Sequence, residues 1–389
     1  MTKLSRRAGG LGESVTLRID ARAKAIAGAG ERVIPFGAGE PDFDTPAHIK
    51  EAARRALDGR IGTYTPVPGT PALREAAARS FEQAGIPSRA ADVIVSCGAK
   101  HSLFNALSVL LDDNDEAILP APYWVSYPSM CEASGARAAV VDTRADGCIL
   151  TPQALERAIS PRTRVLILVS PGNPTGVTHT REQLAALGDV LRRHPQITVV
   201  SDEIYRHLAY DGIEAVPFAA ACPALAGRTV TVHGLSKSYA MTGWRIGYAT
   251  GPSDVIAAMI RYQSHTTSNP AAIAQAAALA ALTGPMEPVH RMREAFDRRR
   301  KLMVARLRAI PGMQLATPTG AFYCFPEISA LLGGSTALEF TERLLERERV
   351  ACVPGEAFGA PENMRLSYAC SENDIEEGCA RLARFIASR

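Results

Sequence analysis

Between residues 93 and 263, short apolar runs rich in β-branched residues alternate with stretches of helical periodicity, and this alternation limits the fold more than any other feature. Strand-like runs fall near 93–97, 116–119, 138–141, 164–169, 197–201, 229–232 and 246–250. Helical stretches lie near 99–111, 152–159, 181–193 and 254–263. Near-continuous apolar strands are those a sheet buries on both faces, and the helices between them are the crossovers that parallel neighbours need. The pattern predicts an α/β fold: a mostly parallel seven-stranded sheet flanked by helices, with ligands at the carboxyl ends of the strands. The run at 246–250 follows its predecessor with no full crossover helix between them, so it is expected to be antiparallel.

From Pro285 the pattern changes. A long charged helix runs through EAFDRRRKLMVARLRAI, then GAFYCFPE reads as a strand, a helix lies near 336–348, and VACVPGEAF follows. This predicts a second, smaller α+β domain.

The turn after the 229–232 run carries the strongest chemical signal. In TVTVHGLSKSYAMTGWRIGY, His233, Gly234 and Ser236 break the strand, Lys237 follows directly, and Arg245 stands eight positions on. A lysine at the end of a buried strand is costly unless something consumes its charge. A Schiff base with pyridoxal phosphate does so, and Arg245 can pair with the phosphate as a fork. On its own a lysine is more often a solvated surface group.

Three upstream segments fit the same cofactor. VVSDEIY ends an apolar run with Asp202, which can hold a pyridine nitrogen protonated, and places Tyr205 to bond the ring 3′-oxygen. A strand-to-helix aspartate also serves simply as a helix cap. VLILVSPGNPTG puts Asn173 in a turn beyond a strand, where its amide can reach the same oxygen, although asparagine between prolines is common turn chemistry. VIVSCGAKHSLFNAL is strand, turn and helix, so Gly98 and Ala99 offer N–H groups at a helix N-terminus to a phosphate.

Together these segments resemble the class I and II aminotransferases of pyridoxal-phosphate fold type I, from GAGEPDFDTP (Gly37 to Pro46) to RLSYACSEND (Arg365 to Asp374). The nearest branch in character is the bacterial aspartate aminotransferases, which includes prephenate aminotransferases. The resemblance implies that Lys237 is the Schiff-base lysine and the proton shuttle of a ping-pong transamination. It implies that Arg365 grips the substrate α-carboxylate beside Gly39, and that Trp124, in APYWVSYP, stacks on the pyridine ring. Tyr64, in TYTPVPG, matches the tyrosine that reaches the neighbouring subunit's phosphate, and Ser268 would serve that site too. A homodimer with shared sites is therefore expected, with a large domain over 46–284 and a small one formed by 1–45 and 285–389.

Two departures stand out. Gly234 replaces the serine that many relatives use on the phosphate, which leaves Ser236 as a weaker candidate. Ser264 stands where another aspartate branch uses a partner's arginine on a distal carboxylate. Lys100 matches the lysine that reads that carboxylate in the bacterial branch, with Ser14 and Thr16 as hydroxyl helpers. A lysine opening a helix also reads as a plain surface residue, one the helix dipole slightly disfavours.

Composition bounds the rest. The 389 residues carry 43 basic and 40 acidic side chains, a formal charge of +3, with no long basic run that would favour nucleic acid or membrane. Eight cysteines are scattered without a CxxC pair, which argues against a structural zinc and for reduced thiols in a cytoplasm. MTKLSRRAGG lacks a following apolar run, which argues against a secretory leader. AAIAQAAALAALTG is too short and small-sided for a membrane span and reads as a packed helix. Three other readings stay open: an aromatic or prephenate transaminase, a β-lyase or racemase on the same scaffold, and a ligand-sensing module of a regulator. The last would need an attached DNA-binding segment, and no basic helix precedes residue 35.

Overall fold

The computed structural model describes Ser5, residues 8–9, 11–12 and 15–388. Seven strands form the main sheet: β1 (Val93–Ser96), β2 (Glu116–Ala121), β3 (Arg137–Asp142), β4 (Thr163–Val169), β5 (Thr198–Asp202), β6 (Thr229–Gly234) and β7 (Gly247–Thr250). Their order is β1-β7-β6-β5-β4-β2-β3. Neighbours from β6 through to β3 are parallel, and β7 runs antiparallel to both β6 and β1. The antiparallel expectation for the seventh run holds, because the link from Gly234 to Gly247 contains only a short 3-10 turn (Thr242–Trp244).

β1, β6 and β7 are buried at every position. β3 lies at the sheet edge, and its Val140 is half exposed. β6 runs two residues further than expected: His233 and Gly234 remain in the ladder, opposite Tyr248 and Gly247. His233 is wholly buried, and backbone pairing rather than side-chain polarity decides where this strand ends.

Amphipathic helices cover both faces. The helix Arg181–Arg192 begins with a capping box, in which Thr180 and Gln183 bond each other's backbone N–H groups, and it buries Leu184, Leu187, Val190 and Leu191 against the sheet. Each such side chain contributes about 1.5–3 kcal/mol, and cutting one back to alanine costs about 2–5 kcal/mol. The alanine-rich segment forms the packed helix Ala272–Thr283. Among the described residues, no helix is long and apolar enough to cross a membrane.

The C-terminal part contains the long helix Glu287–Arg308, the helices Ala337–Glu348 and Glu372–Ala387, and a small antiparallel sheet. Its strands β8 (Tyr323–Cys324), β9 (Val353–Pro354) and β10 (Met364–Ser367) have the order β8-β10-β9. GAFYCFPE therefore gives only a two-residue strand. Ala321 beside it takes a left-handed φ of 56°, and its N–H donates to Leu208 O at 2.8 Å, so this backbone joins the large sheet's loops instead of extending the ladder. Residues 34–36 pair with the same part: Ile34 bridges Val350, and Ser367 N–H donates to Phe36 O at 2.7 Å.

Candidate active site

Because β1, β2, β4, β5 and β6 all point one way, their carboxyl ends open on one edge of the sheet. The turns there carry Gly98, Ala99 and Lys100 after β1, Trp124 after β2, Asn173 after β4, Asp202 and Tyr205 at the end of β5, and Ser236 and Lys237 after β6. Arg365 faces them from β10 of the small sheet. Its Nη1 donates to Asn173 Oδ1 at 3.0 Å and its Nη2 to Gly37 O at 2.9 Å.

Lys237 is partly open to the cleft, and its Nζ donates to the Gly39 carbonyl. Burial pushes its ammonium down to about 8; Glu40 and Asp202 oppose that shift, while Arg365 and Arg245 add to it. An amine in this range is available as a base near neutral pH. Five of the residues singled out in the sequence, Lys237, Gly39, Asp202, Arg365 and Arg245, thus come together around this amine.

Asp202 is 4% exposed, and burial lifts its carboxyl to about 6. The Tyr127 hydroxyl, donating to Oδ2 at 2.8 Å, the Ile204 N–H, donating to Oδ1 at 3.1 Å, and the Lys237 charge all pull the other way. The Ile204 bond is a local contact within the turn that follows β5, where no helix begins, so the helix-cap reading of Asp202 does not apply. A buried carboxyl raised in this manner suits a cationic partner, which would restore its ionisation.

Arg365 is 2% exposed and lies between aromatic rings, 4.5 Å from the Tyr323 centroid and 5.1 Å from that of Phe358. Burial pushes its pKa down, yet a guanidinium keeps its charge. Among the described residues no carboxylate pairs with it, and its Nε is buried without a partner. A buried, uncompensated cation costs several kcal/mol, so this arrangement is built for an incoming anion.

A second group of hydrogen-bond donors gathers at the turn after β1. Arg245 takes a left-handed φ of 54°, and its Nη1 donates to Thr242 O at 2.9 Å. Its guanidinium lies on the backbone at Gly98, where an added Cβ would meet Nη2 at 2.5 Å. Gly247 lets β7 approach the same turn, since a Cβ there would sit 2.1 Å from Ala99 N. The first N–H groups of the helix Ala99–Leu110 thus meet Arg245 without an intervening side chain. Gly234 fits here too: a Cβ would have Ile204 Cδ1, Ile246 O and Ala99 Cβ at 3.1–3.3 Å, so a larger residue would press on the cradle.

Lys100 holds its Nζ 4.8 Å from the Trp124 ring centroid. Burial and the Arg245 charge lower its pKa, and among the described residues no acidic group pairs with it. Tyr205 is buried, with its hydroxyl 2.9 Å from that of Tyr323. Ser236 is buried beside Lys237.

Among the described residues, three expected ones make no hydrogen bond to the cleft groups. Tyr64 is 89% exposed, Ser268 takes a left-handed φ of 59° with its N–H on Gln263 O, and Thr16 has a buried Oγ1 with no partner among the described residues. Ser14 lies outside the described residues. Conversely, Tyr127, Tyr323 and Glu40 belong to the cleft and were not singled out. Glu40 stands inside the GAGEPDFDTP motif, which was a signal for it. Tyr127 is three residues past Trp124. Nothing local marks Tyr323, whose partner Tyr205 is 118 positions away.

The family model for aminotransferases of class I and II matches residues 31–382, and the chain belongs to that family. An aspartate aminotransferase of Geobacillus stearothermophilus is 47% identical over 392 residues, covering 100% of both chains. An aspartate/prephenate aminotransferase of Cereibacter sphaeroides is 47% identical over 96% of each. Among solved structures, the Rhizobium meliloti aspartate aminotransferase superposes with a TM-score of 0.96 at 42% identity, covering 100% of this chain and 99% of the other. The Thermus thermophilus enzyme with maleate gives 0.94 at 42% identity, covering 99% and 100%. The protein is an aminotransferase, moving an amino group between an amino acid and a 2-oxo acid.

Proposed function

We propose that the chain is a pyridoxal-phosphate-dependent transaminase whose preferred amino donor carries a second carboxylate, aspartate or glutamate. The observation that carries this reading is Arg365: a buried guanidinium with no acidic partner among the described residues, close enough to lower the pKa of an amine held at about 8. Such a pair binds an α-carboxylate and attacks chemistry at the adjacent carbon.

The residues fit the cofactor. Asp202 would hold the ring nitrogen, Tyr205 and Asn173 the 3′-oxygen, Trp124 the ring face, and Arg245 with Gly98, Ala99 and Ser236 the phosphate. Because the Asn173 carbonyl oxygen already accepts from Arg365, its amide hydrogens are left to face the cleft. When bound, pyridoxal phosphate supplies an aldehyde for Lys237 and a ring that accepts an electron pair. The chain's own work is then positional and electrostatic. Arg365, beside Gly39, fixes the substrate carboxylate as a fork. Lys237 Nζ takes the Cα proton and holds it for return. Asp202, ionised beside a protonated ring nitrogen, keeps that nitrogen charged, which should be the largest single electrostatic contribution.

The exposed Tyr64 and the position of Ser268 support a homodimer in which each copy completes the other's phosphate site. Residues 46–284 and the combined 1–45 and 285–389 are read as the two domains, with the cleft between them. All eight cysteines are free, which agrees with a cytoplasmic enzyme.

Lys100 is the best-placed cation for the distal carboxylate, since Ser264 is exposed and its hydroxyl is spent on Arg261 O. The maleate in the Thermus thermophilus relative is itself a dicarboxylate. Prephenate also has a second carboxylate, so the naming of the Cereibacter sphaeroides relative fits the same cation. Lys100→Ala is expected to lower kcat/KM for dicarboxylic donors by roughly tenfold to a hundredfold, as loss of a charge-assisted hydrogen bond of about 1.5–3 kcal/mol requires. Alanine and phenylalanine should change little. A panel of aspartate, glutamate, prephenate, alanine and phenylalanine measures this, and an equal fall for all of them would make Lys100 a structural residue.

A further inference from the structure

We infer that Tyr323 is a positioning residue that directs the Tyr205 hydroxyl onto the cofactor's 3′-oxygen while packing its ring against the Arg365 guanidinium. This rests on the reading of Tyr205 given above.

Tyr323 sits in β8, opposite Ser367 of β10, and is wholly buried. Its hydroxyl is 2.9 Å from that of Tyr205, its ring centroid is 4.5 Å from Arg365 Cζ, and a Cβ at Gly39 would lie 3.9 Å from its oxygen. One side chain from the small sheet therefore touches both the group that faces the cofactor and the group that faces the substrate.

Either phenol could donate in this pair, and hydrogen counting decides between them. Each hydroxyl has one hydrogen. If Tyr205 gives its own to the 3′-oxygen, the bond between the two tyrosines can only be made by the Tyr323 hydrogen pointing at Tyr205 Oη. A hydroxyl that accepts while it donates is polarised and donates more strongly. Burial, and the neighbouring phenol with it, pushes Tyr205 well above the usual tyrosine range, and burial raises Tyr323, so both protons stay on at working pH. The result is a neutral two-step relay, Tyr323 to Tyr205 to the 3′-oxygen, which stabilises negative charge on that oxygen.

The hydroxyl and the ring of Tyr323 do separate jobs, so two variants separate them. Tyr323→Phe keeps the cation–π stack on Arg365 and removes only the relay. In the holoenzyme the pH midpoint of the cofactor's visible absorption should move upward by roughly half to one pH unit, because the unprotonated form loses part of its charge stabilisation. KM for aspartate should stay within about twofold while kcat falls. Tyr323→Leu removes the ring as well and should raise KM by roughly tenfold. Circular dichroism and the melting temperature establish that each variant is folded.

Tyr205→Phe run in parallel keeps the two readings apart. If Tyr205→Phe moves the midpoint and Tyr323→Phe leaves it in place, the relay is wrong and the reading of Tyr205 stands. If neither moves it, the reading of Tyr205 falls and the relay falls with it.

Discussion

Lys237→Ala is expected to cut turnover by roughly 10⁴-fold or more, since one amine serves as both the covalent anchor and the general base. The fold should survive. Lys237 is a partly open residue whose charge the surrounding protein disfavours, so its removal leaves no buried donor unpaired and relieves a desolvation cost. Purified wild-type protein with pyridoxal phosphate should absorb at the visible edge of the ultraviolet, and the variant should lose that band with its activity. Residual turnover within tenfold of wild type, or an unchanged band, would remove Lys237 from the centre of the account.

Asp202→Asn should move two properties in opposite directions. Turnover should fall by about a hundredfold to a thousandfold, because the neutral amide no longer holds a charged ring nitrogen. The cofactor-free protein should become more stable at neutral pH. The folded carboxyl is raised to about 6 from its ordinary value of 3.8, so the folded state binds its proton more tightly than the unfolded chain does. Below about pH 4 both states are protonated and the variant differs little. Between about pH 4 and 6 wild type loses stability that the amide keeps, and above about 6 the full difference, about 1–3 kcal/mol, is present. Urea unfolding midpoints of the two cofactor-free proteins across pH 4–8 measure this. A gap that does not change with pH would mean that Asp202 is not a strained buried carboxyl.

This trade-off is also why the site was easier to find in the sequence than parts of the fold. Lys237 and Asp202 are charged residues at the ends of apolar strands, a placement that local burial penalises and that therefore stands out. The sheet was legible for a related reason: strands buried on both faces read as unbroken apolar runs, and β4, as VLILV, could hardly be anything else. The crossover lengths then dictated which neighbours are parallel. The small sheet was much less legible. β8 and β9 are two residues each, too short for any periodicity, and the apolar content of GAFYCFPE reflects packing around Ala321 and Phe322 rather than a long ladder.

Contacts between distant segments left no local trace. The hydroxyl of Tyr127 reaches Asp202 across 75 positions, and the Arg365 guanidinium reaches Asn173 across 192. A tyrosine in a core strand looks the same whether its hydroxyl is idle or aimed at a cofactor ligand. Tyr64 illustrates the opposite limit. Its motif was readable, but at 89% exposure the role proposed for it needs a second copy of the chain.

The central claim is that the amine, the buried carboxyl and the buried Arg365 guanidinium act together to move an amino group between carboxylic acids. The most direct measurement follows the nitrogen. With pyridoxal phosphate, ¹⁵N-aspartate and 2-oxoglutarate, the account predicts ¹⁵N-glutamate formed in step with oxaloacetate and no labelled ammonia. Labelled ammonia without glutamate, or racemised aspartate retaining its label, would contradict it.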